Sequence, residues 1–134
     1  MERILNLLVV NNTDYAKLAF VNVNSLHRFN PNQKYRIYCD ENNFNFIREH
    51  SSKFSNPDST QVINCWSHAT ENWQKLKLDI LGDYLHKEDA CILDADSIFT
   101  SNLEPFPNDK ILFLNSNKDT PTYKLQKMWF LKDY

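Results

Sequence analysis

Ala90-Cys91-Ile92-Leu93-Asp94-Ala95-Asp96-Ser97-Ile98-Phe99 is the stretch on which the fold turns, because its four leading apolar residues end in two carboxylates one residue apart. A short apolar run bounded by charge predicts a buried strand, and carboxylates at its C-terminal end lie where open α/β sheets bind ligands. In extended backbone, residues i and i+2 point to the same side, so Asp94 and Asp96 are expected to converge while Ala95 turns inward. Two carboxylates held close repel each other, which raises one pKa unless a cation sits between them. Mg²⁺ or Mn²⁺ meets that need: such hard ions take one or two carboxylates, keep waters, and complete their shell from substrate phosphates. The bland alternative is turn chemistry, since Asp side chains also cap helices and close Asx-turns.

Gly82 is the chain's 1 glycine. Glycine-rich phosphate loops are thereby excluded, because neither a dinucleotide fingerprint nor a Walker loop can be built without several. Any nucleotide must then have its phosphates held by a cation and side chains. A length of 134 residues suits one domain, and 42% hydrophobic with 13% aromatic content excludes a disordered chain. The net charge of −2 offers no footprint for nucleic acid or an anionic membrane. The longest apolar run, Ile4 to Val10, is interrupted by Asn6 and too short to span a bilayer, so a cytoplasmic location is the default expectation. Cys39, Cys65 and Cys91 show no zinc or Cys-x-x-Cys spacing and are expected as reduced core thiols. His27, His50, His68 and His86 show no paired spacing, and no ligand role is expected of them.

Working outward, Ile4–Val10 reads as a strand covered on both faces of a mainly parallel sheet. Asn11-Asn12-Thr13-Asp14 is a turn cluster that supplies N-caps, and Tyr15 to Phe29 carries Leu18, Val21, Leu26 and Phe29, with Ala16 and Ala19, in a pattern that suits a helix until Asn30-Pro31-Asn32 stops it. Tyr35–Cys39 is a second strand with Asp40 at its end, so the opening is β-α-β with a right-handed crossover. A short helix is expected over Phe44–Phe54, a third strand over Val62–Cys65, and a helix from about Glu71 to His86 with its apolar stripe in the core. Cys91–Leu93 joins the other three as an inner strand. Lys110–Leu114 reads as a further strand, and the segment from Thr120 to Tyr134 is apolar enough to pack on the sheet, on a second copy, or on a partner chain. The fold class is α/β, a mainly parallel sheet with flanking helices.

The Leu-Asp-Ala-Asp stretch, followed by Thr100-Ser101-Asn102-Leu103-Glu104-Pro105-Phe106, resembles the corresponding region of nucleotide-sugar glycosyltransferases of the GT-A fold, especially the glycogenin-like and lipopolysaccharide-galactosyltransferase-like group. Val10-Asn11-Asn12-Thr13-Asp14-Tyr15-Ala16-Lys17, then Asn24-Ser25-Leu26, is similar to that group's first strand-turn-helix unit, and the resemblance spans roughly residues 4 to 106. It implies a Rossmann-like GT-A nucleotide-binding half that takes a UDP-sugar with Mn²⁺ or Mg²⁺. Site residues implied are Asn11, Asn12 and Tyr15 against uracil and ribose, Lys75 toward the diphosphate, and Asp94, Ala95 and Asp96 at the ion, with Asp94 and Asp96 as metal ligands. Lys77 is an alternative alignment for Lys75. Residue-level alternatives stand beside these roles: Tyr15 as a first-turn packing residue, Lys75 as a solvated face residue.

The group continues into an acceptor-side half and a C-terminal His that completes the metal site, whereas here no histidine follows His86 and only Asn115-Ser116-Asn117 is similar to the next motif. The expectation is therefore a metal-dependent glycosyltransferase that is truncated or one part of a split enzyme. The alternative is a catalytically inactive nucleotide-binding or partner-binding remnant. A haloacid-dehalogenase-like phosphatase is disfavoured, because its nucleophile belongs on the first strand. Donor sugar and acceptor are not legible.

Overall fold

The computed structural model describes residues 3–67, 73–84 and 89–103. Within them the order is β1 (Arg3–Val9), α1 (Asp14–His27), β2 (Lys34–Asp40), α2 (Glu41–Glu49), β3 (Thr60–Trp66), α3 (Trp73–Tyr84) and β4 (Asp89–Leu93). The four strands form one sheet in the order β3-β2-β1-β4, every pair parallel. This is the α/β architecture expected from strand runs without alternation. The expected strand over Lys110–Leu114, the apolar segment from Thr120, His68 and His86 lie outside the described residues.

Register places Leu7 beside Ile37 on one side and Leu93 on the other, so β1 is the central strand. Its odd positions, Leu5, Leu7 and Val9, are fully buried with Ile37, Cys39, Leu93 and the α1 residues Ala16, Ala19, Val23 and Leu26. Each Leu, Ile or Val side chain among them stabilises the fold by about 1.5–3 kcal/mol on leaving water. Right-handed crossovers put α1 and α2 on that face and α3 on the other. Leu76 and Ile80 of α3, also buried, stand outside the α1/α2 cluster, in keeping with this division.

Several details differ from the sequence expectations. The buried stripe of α1 keeps the expected Ala16, Ala19 and Leu26 but is completed by Phe20 and Val23; Leu18 and Val21 are half-buried, and Phe29 lies beyond the helix, 42% exposed beneath the Arg28 guanidinium. Helix α2 starts at Glu41, three residues before Phe44, because Asp40 caps it, and Ser51–Lys53 forms a separate 3₁₀ turn. Strand β3 is an edge of the described sheet, not an inner strand, as its polar Gln61 and Asn64 permit; β4 is the other edge. The β2–β3 register slips between Cys39 and Asp40, skipping Cys65, whose thiol is exposed. Of the three free cysteines, only Cys39 is a fully buried core thiol, and burial pushes it well above its ordinary value. His27 and His50 each donate a ring N–H to a carbonyl, Gln33 O and Phe46 O, both at 2.8 Å.

Candidate functional site

The chain runs outward from β1 to β2 to β3, then returns through α3 to the opposite side of β1. The switch in direction falls between β1 and β4, and the C-terminal ends of strands at such a switch diverge into a crevice. A cleft of about 250 Å³ occupies this position, floored by Leu8 and Val10 and rimmed by Asn11, Tyr15, Lys77 and Asp94–Asp96. Its size is near the small end of ligand pockets, about 300 Å³.

The β1 rim is built by Asp40. One carboxylate oxygen accepts the Asn11 N–H at 2.8 Å, and the other accepts the Asn43 N–H at 3.0 Å and the Asn43 side-chain amide at 2.8 Å. Asn43 in turn donates to Asn11 O at 3.2 Å. These contacts hold Asn11 at φ 70°, left-handed backbone that Asn tolerates better than most residues. The turn then enters α1 through Asn12, whose side-chain oxygen accepts the Asp14 N–H at 2.9 Å. Asn12 thus closes an Asx-turn ahead of Thr13, the N-cap of α1, and stays outside the cleft lining, whereas Tyr15 lines it, 48% exposed.

The β4 rim departs from extended geometry. Ser97 N–H donates to Asp94 O at 3.1 Å, closing a turn with Ala95 and Asp96 at its corners. Ala95 is buried in the core as expected, but it reaches that position through a turn instead of extended backbone, and Asp94 and Asp96 both line the cleft. Helix α1 braces this turn from below: Asn22 donates to Asp94 O at 3.4 Å, and Ser25 Oγ accepts the Phe99 N–H at 2.9 Å. Tyr35 OH, donating to Asn22 Oδ1 at 3.1 Å, fixes the amide's orientation.

Helix α3 supplies the cation. Lys77 lines the cleft and forms an ion pair with Asp94 Oδ1, with side-chain exposures of 24% and 66% respectively. Lys75, two residues earlier and about 200° around the helix, is exposed and outside the cleft lining. Asp96 titrates above its ordinary value, first because the cleft walls desolvate it and second because Asp94 stands beside it; its own N–H and Lys77 oppose the shift.

Comparison with protein-family models and with curated proteins returns no match. The site must therefore be judged on its donors and shape. Among the described residues no group of three or more His, Cys, Asp and Glu is gathered as a cation cage. Asp94 and Asp96 still fit a hard divalent ion, since both line one cleft and the charge of Asp96, disfavoured first by desolvation and then by Asp94, would be favoured by a cation beside it. Two protein oxygens leave the remaining positions to water and phosphate, the usual condition of Mg²⁺ sites.

Asp40, Asn43, Asn22 and Ser25 escaped the sequence reading. A signal existed for the first: Asp40 before Glu41, with Asn43 three positions on, is an N-cap pattern. Asn22 and Ser25 share the buried side of α1 with Ala19, Phe20, Val23 and Leu26, and polar groups there are recognisable once the face is known.

Proposed function

We propose that this chain binds a nucleoside diphosphate sugar, with uridine as the nucleoside, together with Mn²⁺ or Mg²⁺, and acts as a metal-dependent glycosyltransferase. One observation carries the reading: the cleft at the switch point brings an exposed aromatic ring, an ammonium group and two carboxylates within one small volume. Each matches a part of the ligand. Tyr15 offers a face on which a base stacks, a contact worth about 1–3 kcal/mol. Lys77 presents positive charge to phosphate oxygens, and the Asp40-fixed turn at Asn11 sets the distance between base and phosphate subsites. Asp96, with Asp94 beside it, would hold the ion, which when bound supplies charge stabilisation for a departing diphosphate. The apolar floor of Leu8 and Val10 limits water in the cleft and so strengthens these electrostatic contacts.

The ion pair on Asp94 favours a second reading, in which the same cleft binds nucleotide without transferring sugar. Calorimetric titration of UDP with Mn²⁺, with Mg²⁺ and with chelator tests binding, and release of UDP from UDP-sugars separates the two readings. Binding should nearly vanish in chelator. Equal affinity with and without metal would return Asp94 and Asp96 to turn chemistry.

A further inference from the structure

Lys77 occupies Asp94 in the cleft, and this pairing has a consequence for the order in which ligands bind. We infer that Lys77 is a built-in counter-ion that competes with the divalent cation for Asp94 and yields it only when an anionic diphosphate offers the ammonium a new partner. The inference rests on the proposed metal–nucleotide site and concerns its regulation.

The geometry supports exchange instead of a permanent structural bridge. Lys77 keeps 24% of its side chain exposed and Asp94 keeps 66%, so neither charge is locked in the interior. Exposed pairs of this kind are worth little, so the Asp94 contact itself opposes exchange only weakly. The pairing is not a by-product of the turn, because Asp94 is positioned through its main-chain oxygen by Ser97 and Asn22 and does not need Lys77 to hold its place. Asp96 stands on the same turn and lines the same cleft. Without nucleotide, then, an incoming ion meets Asp94 already paired with an ammonium and only Asp96 without that competitor on its carboxylate. With nucleotide, diphosphate oxygens attract the ammonium, Asp94 is released, and both carboxylates become available. Metal and nucleotide affinities are coupled through one side chain, and the coupling must be reciprocal.

The test reads binding of Mn²⁺ alone, by electron paramagnetic resonance of the free ion, in the intact chain without nucleotide. Lys77→Met, which keeps the aliphatic stem, should bind Mn²⁺ about fivefold more tightly than the native chain, the equivalent of an exposed ion pair. Lys77→Arg, which keeps the charge, should stay near native affinity. In Lys77→Met the enhancement of Mn²⁺ affinity by UDP should shrink by about the same factor. If Lys77→Met leaves Mn²⁺ affinity unchanged or weaker while Asp96→Asn lowers it, the counter-ion role is overturned and the metal site stands. If Asp96→Asn has no effect and no variant differs from native, both fall. Should Lys77→Met fail to melt cooperatively, Lys77→Gln serves with the same expected direction.

Discussion

Three aspartates stand at strand C-termini on one edge of the sheet, and they are used in opposite ways. Asp40, at the end of β2, is 3% exposed and accepts three N–H groups from Asn11 and Asn43. Asp94 and Asp96, beyond β4, are exposed to the cleft, and the hydrogen bonds that order their turn run through main-chain atoms. A carboxylate saturated with backbone donors builds the site, and one whose neighbours are braced without it is available to a ligand. The position at a strand end is common to all three and does not distinguish them.

The sharpest way to break this contrast is Asp40→Ala. It removes the α2 cap, leaves the buried Asn43 donors without an acceptor and frees the Asn11 turn, for an expected loss of about 3 kcal/mol in urea unfolding. A variant of native stability would mean that Asp40 is not the structural member of the three.

Asp96→Asn should behave in the reverse sense. Metal-dependent UDP binding is expected to fall about 10–100-fold by calorimetry, at least as much as loss of a group that merely supports a metal ligand. Stability near pH 7 should hold or rise, because the raised pKa of Asp96 means that its charged form is disfavoured in the fold. The sign follows from the direction of the shift: the penalty is complete above the folded value, fades as pH falls through it, and is absent below the ordinary carboxylate value. Any melting-temperature advantage of the variant should therefore close on acidification. A loss of stability at neutral pH would place Asp96 with Asp40.

Smaller effects test the β1 rim. Tyr15→Ala should weaken uridine nucleotide binding by about tenfold, within the range of base–aromatic stacking, and leave the melting temperature nearly unchanged because the ring is 48% exposed. Unchanged affinity in a folded variant would remove Tyr15 from the site. Asn12→Ala is expected to cost about 0.5 kcal/mol through loss of its exposed Asx-turn hydrogen bond from Asp14, with no change in nucleotide affinity. A binding defect there would extend the cleft past its present lining.

Much of this molecule was legible in sequence order alone. Apolar runs separated by helical spacing mark four strands, and crossover helices between them leave only a parallel return; that β3 and β4 are edges of the described sheet was not legible. The cluster at Asn11–Tyr15 and the pair Asp94 and Asp96 were placed at strand ends for the same local reason. Among the described residues no helix is long and apolar enough to cross a membrane. Tertiary structure decided what local pattern cannot carry. Lys75 and Lys77 are indistinguishable by type and nearly so by position, and only the seating of α3 on the sheet selects Lys77 for the cleft. Cys65 resembles Cys39 in its apolar setting, yet a register slip at the edge of β3 exposes it. Asp40 and Asp94 have the same chemistry at the same kind of strand end; the donors that claim one and spare the other come from residues brought close only when the chain folds.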